Sequence, residues 1–330
     1  MSQPDAPPIV LIGGSGRSGT NITKQLLGRH SRVHAMPFEQ RFTVDPDGLV
    51  DFYDSFSAAW SPYIADVRLK RLRRLLDDLG RRGLLGRAAG ALVKALDPRG
   101  RRLTPPRYHG WALAAYFPHY RQHVDALMAE LVEFSYAASW VGSPSYARQP
   151  RHWHSGPRAR AELPGILGRF VNALAAGCLE KFGKDIFVED NTWNILFARQ
   201  LLEFTPQTRI VHVYRDPRDV VASLMQQRWA PDSAEEAALW YRDVMQRWFD
   251  VKQTLSKGSL LEVSLEDLVS DTEGTVGKLC KFIGISPEPA LLSMDLSRSH
   301  QGRWRQELST GDAAAIQEIL GGVIKTLGYR

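Results

Sequence analysis

Two short runs of residues carry the chemistry of this 330-residue chain. The first is Gly13-Gly14-Ser15-Gly16-Arg17-Ser18-Gly19-Thr20-Asn21, directly after the apolar run Pro8-Ile9-Val10-Leu11-Ile12. Glycines between a buried strand and a helix let several backbone N–H groups face one point, and the helix dipole adds to their attraction for an anion. The second run is Arg215-Asp216-Pro217-Arg218-Asp219-Val220-Val221-Ala222-Ser223, which follows the β-branched stretch Arg209-Ile210-Val211-His212-Val213-Tyr214. Pro217 suits a first helical turn and Asp216 its N-cap. Arg215 then stands at the carboxyl end of a strand and Ser223 two turns into a helix, where an open α/β sheet binds ligands. An arginine and a hydroxyl there can hold a second phosphate. One ligand with two separated phosphates is a 3′,5′-bisphosphorylated adenosine.

Taken alone, the first run leaves three readings open. Gly14, Gly16 and Gly19 fit G-x-G-x-x-G, and Glu39 lies about 20 residues on, where a dinucleotide site has its ribose-binding acid. Gly14 and Gly19 also have the spacing of the nucleotide-hydrolase loop G-x-x-x-x-G-K-[ST]. There Thr20 replaces the lysine, so no cation reaches the β/γ-phosphates and the Mg²⁺-binding hydroxyl is displaced. In the third reading the cation sits inside the loop, in Arg17-Ser18-Gly19-Thr20, beside the group being transferred. The second run favours the third reading, because an NAD-dependent oxidoreductase leaves Arg215 and Ser223 without a role. A nucleotide-dependent phosphotransferase of P-loop type and a non-catalytic nucleotide-binding or membrane-docking protein are the alternatives.

Together the two runs resemble the sulfotransferase superfamily, which uses 3′-phosphoadenosine 5′-phosphosulfate (PAPS). Leu260-Leu261-Glu262-Val263-Ser264-Leu265-Glu266-Asp267-Leu268 resembles the family's next strand, and Lys278–Gly284 its next helix. The tail from Gly302-Arg303-Trp304 to Leu327-Gly328-Tyr329 is most similar to bacterial relatives of the tyrosylprotein sulfotransferase branch. The resemblance covers about residues 7–45 and 185–330, and residues 50–165 match nothing in it. It implies PAPS as co-substrate, 3′,5′-adenosine bisphosphate as product, and no metal. Gly14, Ser15, Gly16, Arg17, Ser18, Gly19, Thr20 and Asn21 would hold the 5′-phosphosulfate, Arg215 and Ser223 the 3′-phosphate, and Arg303 and Trp304 would fold over the adenine. Sulfuryl transfer, like phosphoryl transfer, is an in-line displacement catalysed by positioning and charge stabilisation. The resemblance gives Arg17 the sulfuryl oxygens and leaving phosphate, and Glu39 the acceptor proton. Glu39 is the only acid between Asp5 and Asp45. Two positions depart from the family: Asn21 where relatives have threonine, and Glu189-Asp190-Asn191-Thr192 where relatives commonly have a lysine. Lys24, Arg218 and Lys184 are the cations that could substitute. The implied acceptor is a hydroxyl on a small molecule, a glycan, or a tyrosyl or other phenol group.

These residues need a scaffold. Apolar runs at residues 8–12, 186–189, 209–214 and 259–263, 20–50 residues or more apart with helices between, predict an α/β fold: a P-loop-like parallel sheet flanked by helices. The expected organisation is one domain, with its core at about 1–49 and 181–330 and a large basic helical insertion at about 50–180 for acceptor binding. Within the helix expected from Ala234 to Lys257, Leu239, Trp240, Val244, Trp248 and Val251 form the expected core stripe. Ser143–Pro164, rich in Pro, Gly, Arg and His, reads as a long loop and lid.

Residues 68–107 carry thirteen Lys and Arg against three Asp, in a chain of net charge +6. That excess suits an anionic donor, an acidic acceptor or peripheral contact with an anionic membrane, unless the leucines among it simply pack a solvated helix. Nucleic acid is not expected as a partner, since no aromatics interleave with these charges. His119 and His123 have ligand spacing, but no third ligand accompanies them, and no metal is expected. Two cysteines imply no disulfide framework. No signal-like N-terminus or 18-residue apolar run is present, so the expectation is a cytoplasmic, bacterial enzyme. Its oligomeric state, a homodimer among the options, is not legible in these residues.

Overall fold

A computed structural model describes residues 6–81, 88, 91–93, 95, 96, 108, 110–296 and 301–330. Seven strands are placed: β1 Ile9–Gly13, β2 Val33–Ala35, β3 Phe134–Ala137, β4 Arg151–His154, β5 Ile186–Glu189, β6 Arg209–Tyr214 and β7 Leu260–Ser264. The helices used below are α1 Thr20–Leu27, α2 Leu49–Ala58, α3 Pro62–Gly80, α4 Tyr120–Leu131, α5 Leu163–Phe182, α6 Ala198–Phe204, α7 Pro217–Leu224 and α8 Ala234–Gln253.

The chain divides into two compact units. One comprises Pro8–Glu39, Lys184–Leu202 and Gln207–Arg330. Its centre is a five-stranded sheet in the order β2-β5-β1-β6-β7, with every neighbouring pair parallel. The parallel sheet expected from the four apolar runs is therefore found. The central strand β1 is apolar without alternation because both faces are covered, and all five of its residues are buried. Val10, Ile12, Val188, Val211 and Val213 join Leu26, Leu268 and Leu279 in one apolar cluster. β2 escapes the sequence reading because it has three residues, too few for a period to register.

A buried histidine lies inside this sheet. His212 on β6 shares a hydrogen bond with Glu262 Oε1 on β7 at 3.0 Å, and burial holds its pKa below the usual value. Burial acts to raise the Glu262 carboxyl, but hydrogen bonds from His212 and Lys252 overcome it and pull the pKa down from 4.5 to about 2. A carboxyl depressed on folding stabilises fully above its unfolded pKa and loses that contribution as pH falls through the folded value. The protein should therefore lose stability between pH 4.5 and about 2. Glu262→Gln should flatten that part of a chemical-denaturation profile, and an unchanged acid limb would show that the pair does not control it.

The other unit spans Gln40–Gly183 with Glu203–Pro206. Its described residues are mainly helical. Leu69, Leu72, Leu75, Leu76 and Leu79 of α3 are all fully buried. Two of the helix's cations are paired, Lys70 with Asp66, and Arg73 with Asp77 and Asp125. The described start of the basic stretch is thus a helix packed by its leucine face, and most of residues 82–107 lie outside the described residues.

Two expectations are corrected. Ser143–Pro164 is not all loop: β4 lies within it and pairs antiparallel with β3, Phe134 opposite His154 and Ala137 opposite Arg151. His152 is buried in this strand and shares a hydrogen bond with Asp66 Oδ2 at 3.1 Å. The polar strand is therefore held by a tertiary partner that its own composition does not announce. In α8 the buried stripe is Ala237, Ala238, Tyr241, Met245, Trp248 and Val251, leaving Leu239, Trp240 and Val244 half-buried. The alanines, too small to draw notice in the pattern, mark the closest packing.

Candidate active site

β1 and β6 are neighbours in register, Gly13 opposite His212, so the loops leaving their carboxyl ends emerge side by side. This register brings together two runs whose key residues, Arg17 and Ser223, are 206 positions apart in the chain. In the first loop a β-carbon on Gly14 would stand 2.2 Å from Ser18 Oγ and 2.7 Å from the Val213 carbonyl oxygen. Gly19 caps α1 at φ 106°, in the left-handed region where glycine alone is unstrained. The Gly14 N–H donates to the Thr192 carbonyl at 3.0 Å and fixes the start of the loop. Among the described residues, the N–H groups of Ser15, Gly16, Arg17, Ser18 and Gly19 donate to no protein acceptor. Unpaired N–H groups ahead of a helix form an anion site. Ser15, Ser18 and Thr20 are buried around it.

Three guanidiniums stand at this point. Arg17 Nε donates to Ser223 Oγ at 2.9 Å, and Arg303 Nη1 donates to the same oxygen at 3.3 Å. Arg215, buried, pairs through Nη2 with Asp219 Oδ2 at 3.1 Å. Arg303 pairs with Glu307 at 2.8 Å, while Arg17 has no carboxylate within ion-pair distance among the described residues. Burial first, then the charges of Arg303 and Arg215, hold the Arg17 pKa below the ordinary guanidinium value. The cluster gathers three positive groups, and it suits an anion.

Asp219 is the residue that sequence reading passed over. Its Oδ2 accepts from Arg215 and from the Gly302 N–H at 2.7 Å, and its Oδ1 accepts from the Trp304 N–H at 3.0 Å. It therefore holds Arg215 and the 302–304 segment on one helix turn. The i,i+4 spacing of Arg215 and Asp219 was the available signal. Asp216 caps α7 as expected, accepting from the Arg218 N–H at 3.0 Å. The Trp304 ring has two guanidiniums near it, Arg218 at 4.5 Å and Arg305 at 4.6 Å from its centroid. An adenine could use that ring only in company with these cations.

Glu39 follows β2, and its Oε1 accepts from Thr192 Oγ1 at 3.2 Å. Thr192 also holds Gly14 through its carbonyl, so one threonine joins the carboxylate to the loop. Of the three cations offered in place of a lysine near Asp190, Lys24 is the one beside it. Lys24 Nζ lies 2.8 Å from Asp190 Oδ1, with both side chains 4% exposed. Asn21 Nδ2 donates to Asp190 Oδ2 at 3.4 Å. Burial raises the Asp190 pKa, opposed by Lys24 and Asn21. Arg218 is instead paired with Asp216 at 2.7 Å, and Lys184 donates to the Ser31 carbonyl.

Comparison with known proteins adds a family. A family model described as "Sulfotransferase family" matches residues 8–289. The 3-beta-hydroxysteroid sulfotransferase of Cavia porcellus is 28% identical over 109 residues, which is 29% of this chain and 38% of that protein. Sulfotransferase 2A1 of Homo sapiens is 31% identical over 110 residues, again 29% of this chain and 38% of that protein. The chain thus spans well under half the length of these relatives. Among solved structures, the sulfotransferase domain of the Synechococcus PCC 7002 olefin synthase aligns over 97% of this chain and 89% of its own. That alignment has 16% identity and a TM-score of 0.45.

Proposed function

Because the chain belongs to the sulfotransferase family, we propose that it moves a sulfuryl group from PAPS to an acceptor hydroxyl. The observation that carries this reading is the meeting of Arg17 and Arg303 on Ser223, with the charge of Arg215 acting on Arg17, beside a loop of unpaired N–H groups. Those groups are two adjacent sites for anions, which a nucleotide with 5′- and 3′-phosphates would fill. The N–H groups of Ser15 to Gly19 hold the 5′-phosphate. Ser223, Arg215 and Arg303 hold the 3′-phosphate, and Asp219 keeps the last two in place. Arg17, free of any carboxylate partner among the described residues, serves the charge that develops on the transferring oxygens. Glu39, oriented by Thr192, accepts the acceptor's hydroxyl proton as the new S–O bond forms and the old one to the 5′-phosphate breaks.

Thermal shifts with 3′,5′-adenosine bisphosphate, ATP plus Mg²⁺, and NAD at equal concentration test the reading. A ligand present at 100 times its Kd stabilises by about 2.7 kcal/mol. The bisphosphate should stand out without added metal, and selective stabilisation by either of the others would overturn the proposal. Arg215→Ala should weaken the bisphosphate about 10- to 100-fold, the loss of a charged hydrogen bond worth about 1.5–3 kcal/mol. Adenosine 5′-monophosphate, lacking the 3′ group, should bind the variant as it binds the parent. Equal losses for both ligands would remove the 3′ assignment.

A further inference from the structure

The unit at 40–183 has an exposed face that none of this chemistry uses. After β3 the chain makes two consecutive hydrogen-bonded turns. In the first, the Ser143 N–H donates to the Trp140 carbonyl at 2.8 Å, and in the second the Ala147 N–H donates to the Pro144 carbonyl at 3.1 Å. Each turn carries an apolar side chain toward water: Val141 is 105% exposed and Tyr146 91%. Turns ordinarily carry Gly, Asn, Asp or Ser at such positions. The Ser143 hydroxyl accepts from the Trp140 N–H at 2.9 Å and tightens the first turn.

The apolar surface continues from the tips. Trp140 stacks on Tyr63 of α3 with ring centroids 4.4 Å apart, and Phe134 on β3 stacks on His154 of β4 at 4.5 Å. Tyr63, Phe134 and the neighbouring Trp60 and Ile64 are themselves exposed. Two separate chain segments, 60–64 and 134–154, thus contribute aromatics to this surface. Exposed aromatic and aliphatic side chains gathered from two segments in this way mark an interaction site.

Charge decides the partner. From Phe134 to Ala161 the sequence holds four arginines and no acidic residue. Arg158 and Arg160 have carboxylate partners, Glu133 and Asp54. Arg148 and Arg151 have none among the described residues, and Arg151 Nη2 instead bonds Ser135. Aromatic rings that present an apolar body and a polar tip, beside unneutralised arginines, match the headgroup layer of a bilayer with anionic lipids. A protein partner would more commonly meet such a patch with carboxylates in a rim of mixed charge, and this stretch supplies only cations. Among the described residues no helix is long and apolar enough to cross a membrane, so the contact would be peripheral.

We propose that the β3–β4 hairpin and its two turns, with Trp60 and Tyr63 of the adjoining segment, dock the protein on an anionic membrane surface. Val141 and Tyr146 enter the headgroup layer, and Arg148 and Arg151 meet lipid phosphates.

Co-sedimentation of the full chain with vesicles tests this. Vesicles of phosphatidylcholine alone and of phosphatidylcholine with 30% phosphatidylglycerol are compared at about 0.05 and 0.5 M NaCl, on either side of the ionic strength that shortens screening to a few ångströms. The parent should partition at least tenfold more strongly onto the anionic vesicles at low salt. Arg148→Gln with Arg151→Gln should remove most of that preference. Val141→Asp with Tyr146→Asp should lower binding to anionic vesicles at least tenfold, and both positions are exposed enough to leave the fold intact. An unchanged response to 3′,5′-adenosine bisphosphate checks that each variant is still folded. Equal binding to both vesicle types, or binding that survives both double substitutions, overturns the proposal. Self-association that Val141→Asp abolishes, with no vesicle binding, overturns it too and assigns the face to a second copy of the chain.

Discussion

Replacing Glu39 by glutamine should cut sulfuryl transfer by 10²- to 10⁴-fold and leave the affinity for 3′,5′-adenosine bisphosphate where it was. The range is that of a positioned general base. Glutamine keeps the shape and one carbonyl oxygen, so Thr192 Oγ1 can still donate across the 3.2 Å now spanned to Oε1. What the amide cannot do is take a proton. The substitution therefore separates proton removal from the geometry of the loop, because Thr192 also holds Gly14. Thr192→Val should act the other way. It removes the hydroxyl that orients Glu39 but not the carbonyl that accepts from Gly14, so its effect on turnover should be smaller. Bisphosphate titration and donor turnover on the same preparations make the comparison. Full activity in Glu39→Gln would send the base role to another residue.

The strand–turn–helix form of the two runs was legible in the sequence because each is a local event: a strand, a turn and the first residues of a helix. Gly14, Gly19, Pro217 and Asp216 do in the structure what their types prescribe. β1 was legible because a strand buried on both faces is an uninterrupted apolar run, and β5, β6 and β7 because their short runs stay mostly apolar around a single Glu189, His212 or Glu262. The pairing of β1 with β6 was not, since register between parallel strands is decided by packing across a long crossover. Asp219 went unread for a related reason. Its spacing from Arg215 was visible, but its bonds to Gly302 and Trp304 cross more than 80 positions of chain. β4 was missed because its residues, Arg151-His152-Trp153-His154, are polar, and only Asp66 and the antiparallel partner β3 make a strand of them. The stripe of α8 was misphased by reading large side chains as the core, when Ala237 and Ala238 mark the packed face.

The second large effect concerns stability and its dependence on pH. Lys24 and Asp190 form an ion pair 2.8 Å apart with almost no exposure. Breaking such a pair strands a charge in a medium that solvates it poorly, at a cost of about 3–5 kcal/mol, whereas replacing both partners with apolar groups is often neutral. Asp190→Ala and Lys24→Met should each lower the free energy of unfolding by about that much, and Lys24→Met with Asp190→Leu should recover most of it. The two single variants should differ in acid. Burial already raises the Asp190 pKa above 3.8, and Lys24 opposes the rise. Without Lys24 the folded carboxyl binds its proton more tightly than the unfolded one does. The penalty is then full above the folded pKa and shrinks as pH falls toward 3.8, so Lys24→Met should gain stability relative to the parent on acidification. Asp190→Ala has no carboxyl to protonate and should show no such gain. Urea midpoints between pH 7 and 4 separate the cases, and parallel pH profiles for the two variants would mean that the pair is not coupled as its geometry implies. The same pair has a consequence for the site, because Asp190 is two residues from Thr192. A variant that loosens Asp190 loosens the threonine that holds Gly14 and Glu39. The double apolar variant, stable again, restores that support, so any bisphosphate affinity it still lacks measures what Lys24 and the Asn21–Asp190 hydrogen bond contribute to the donor site.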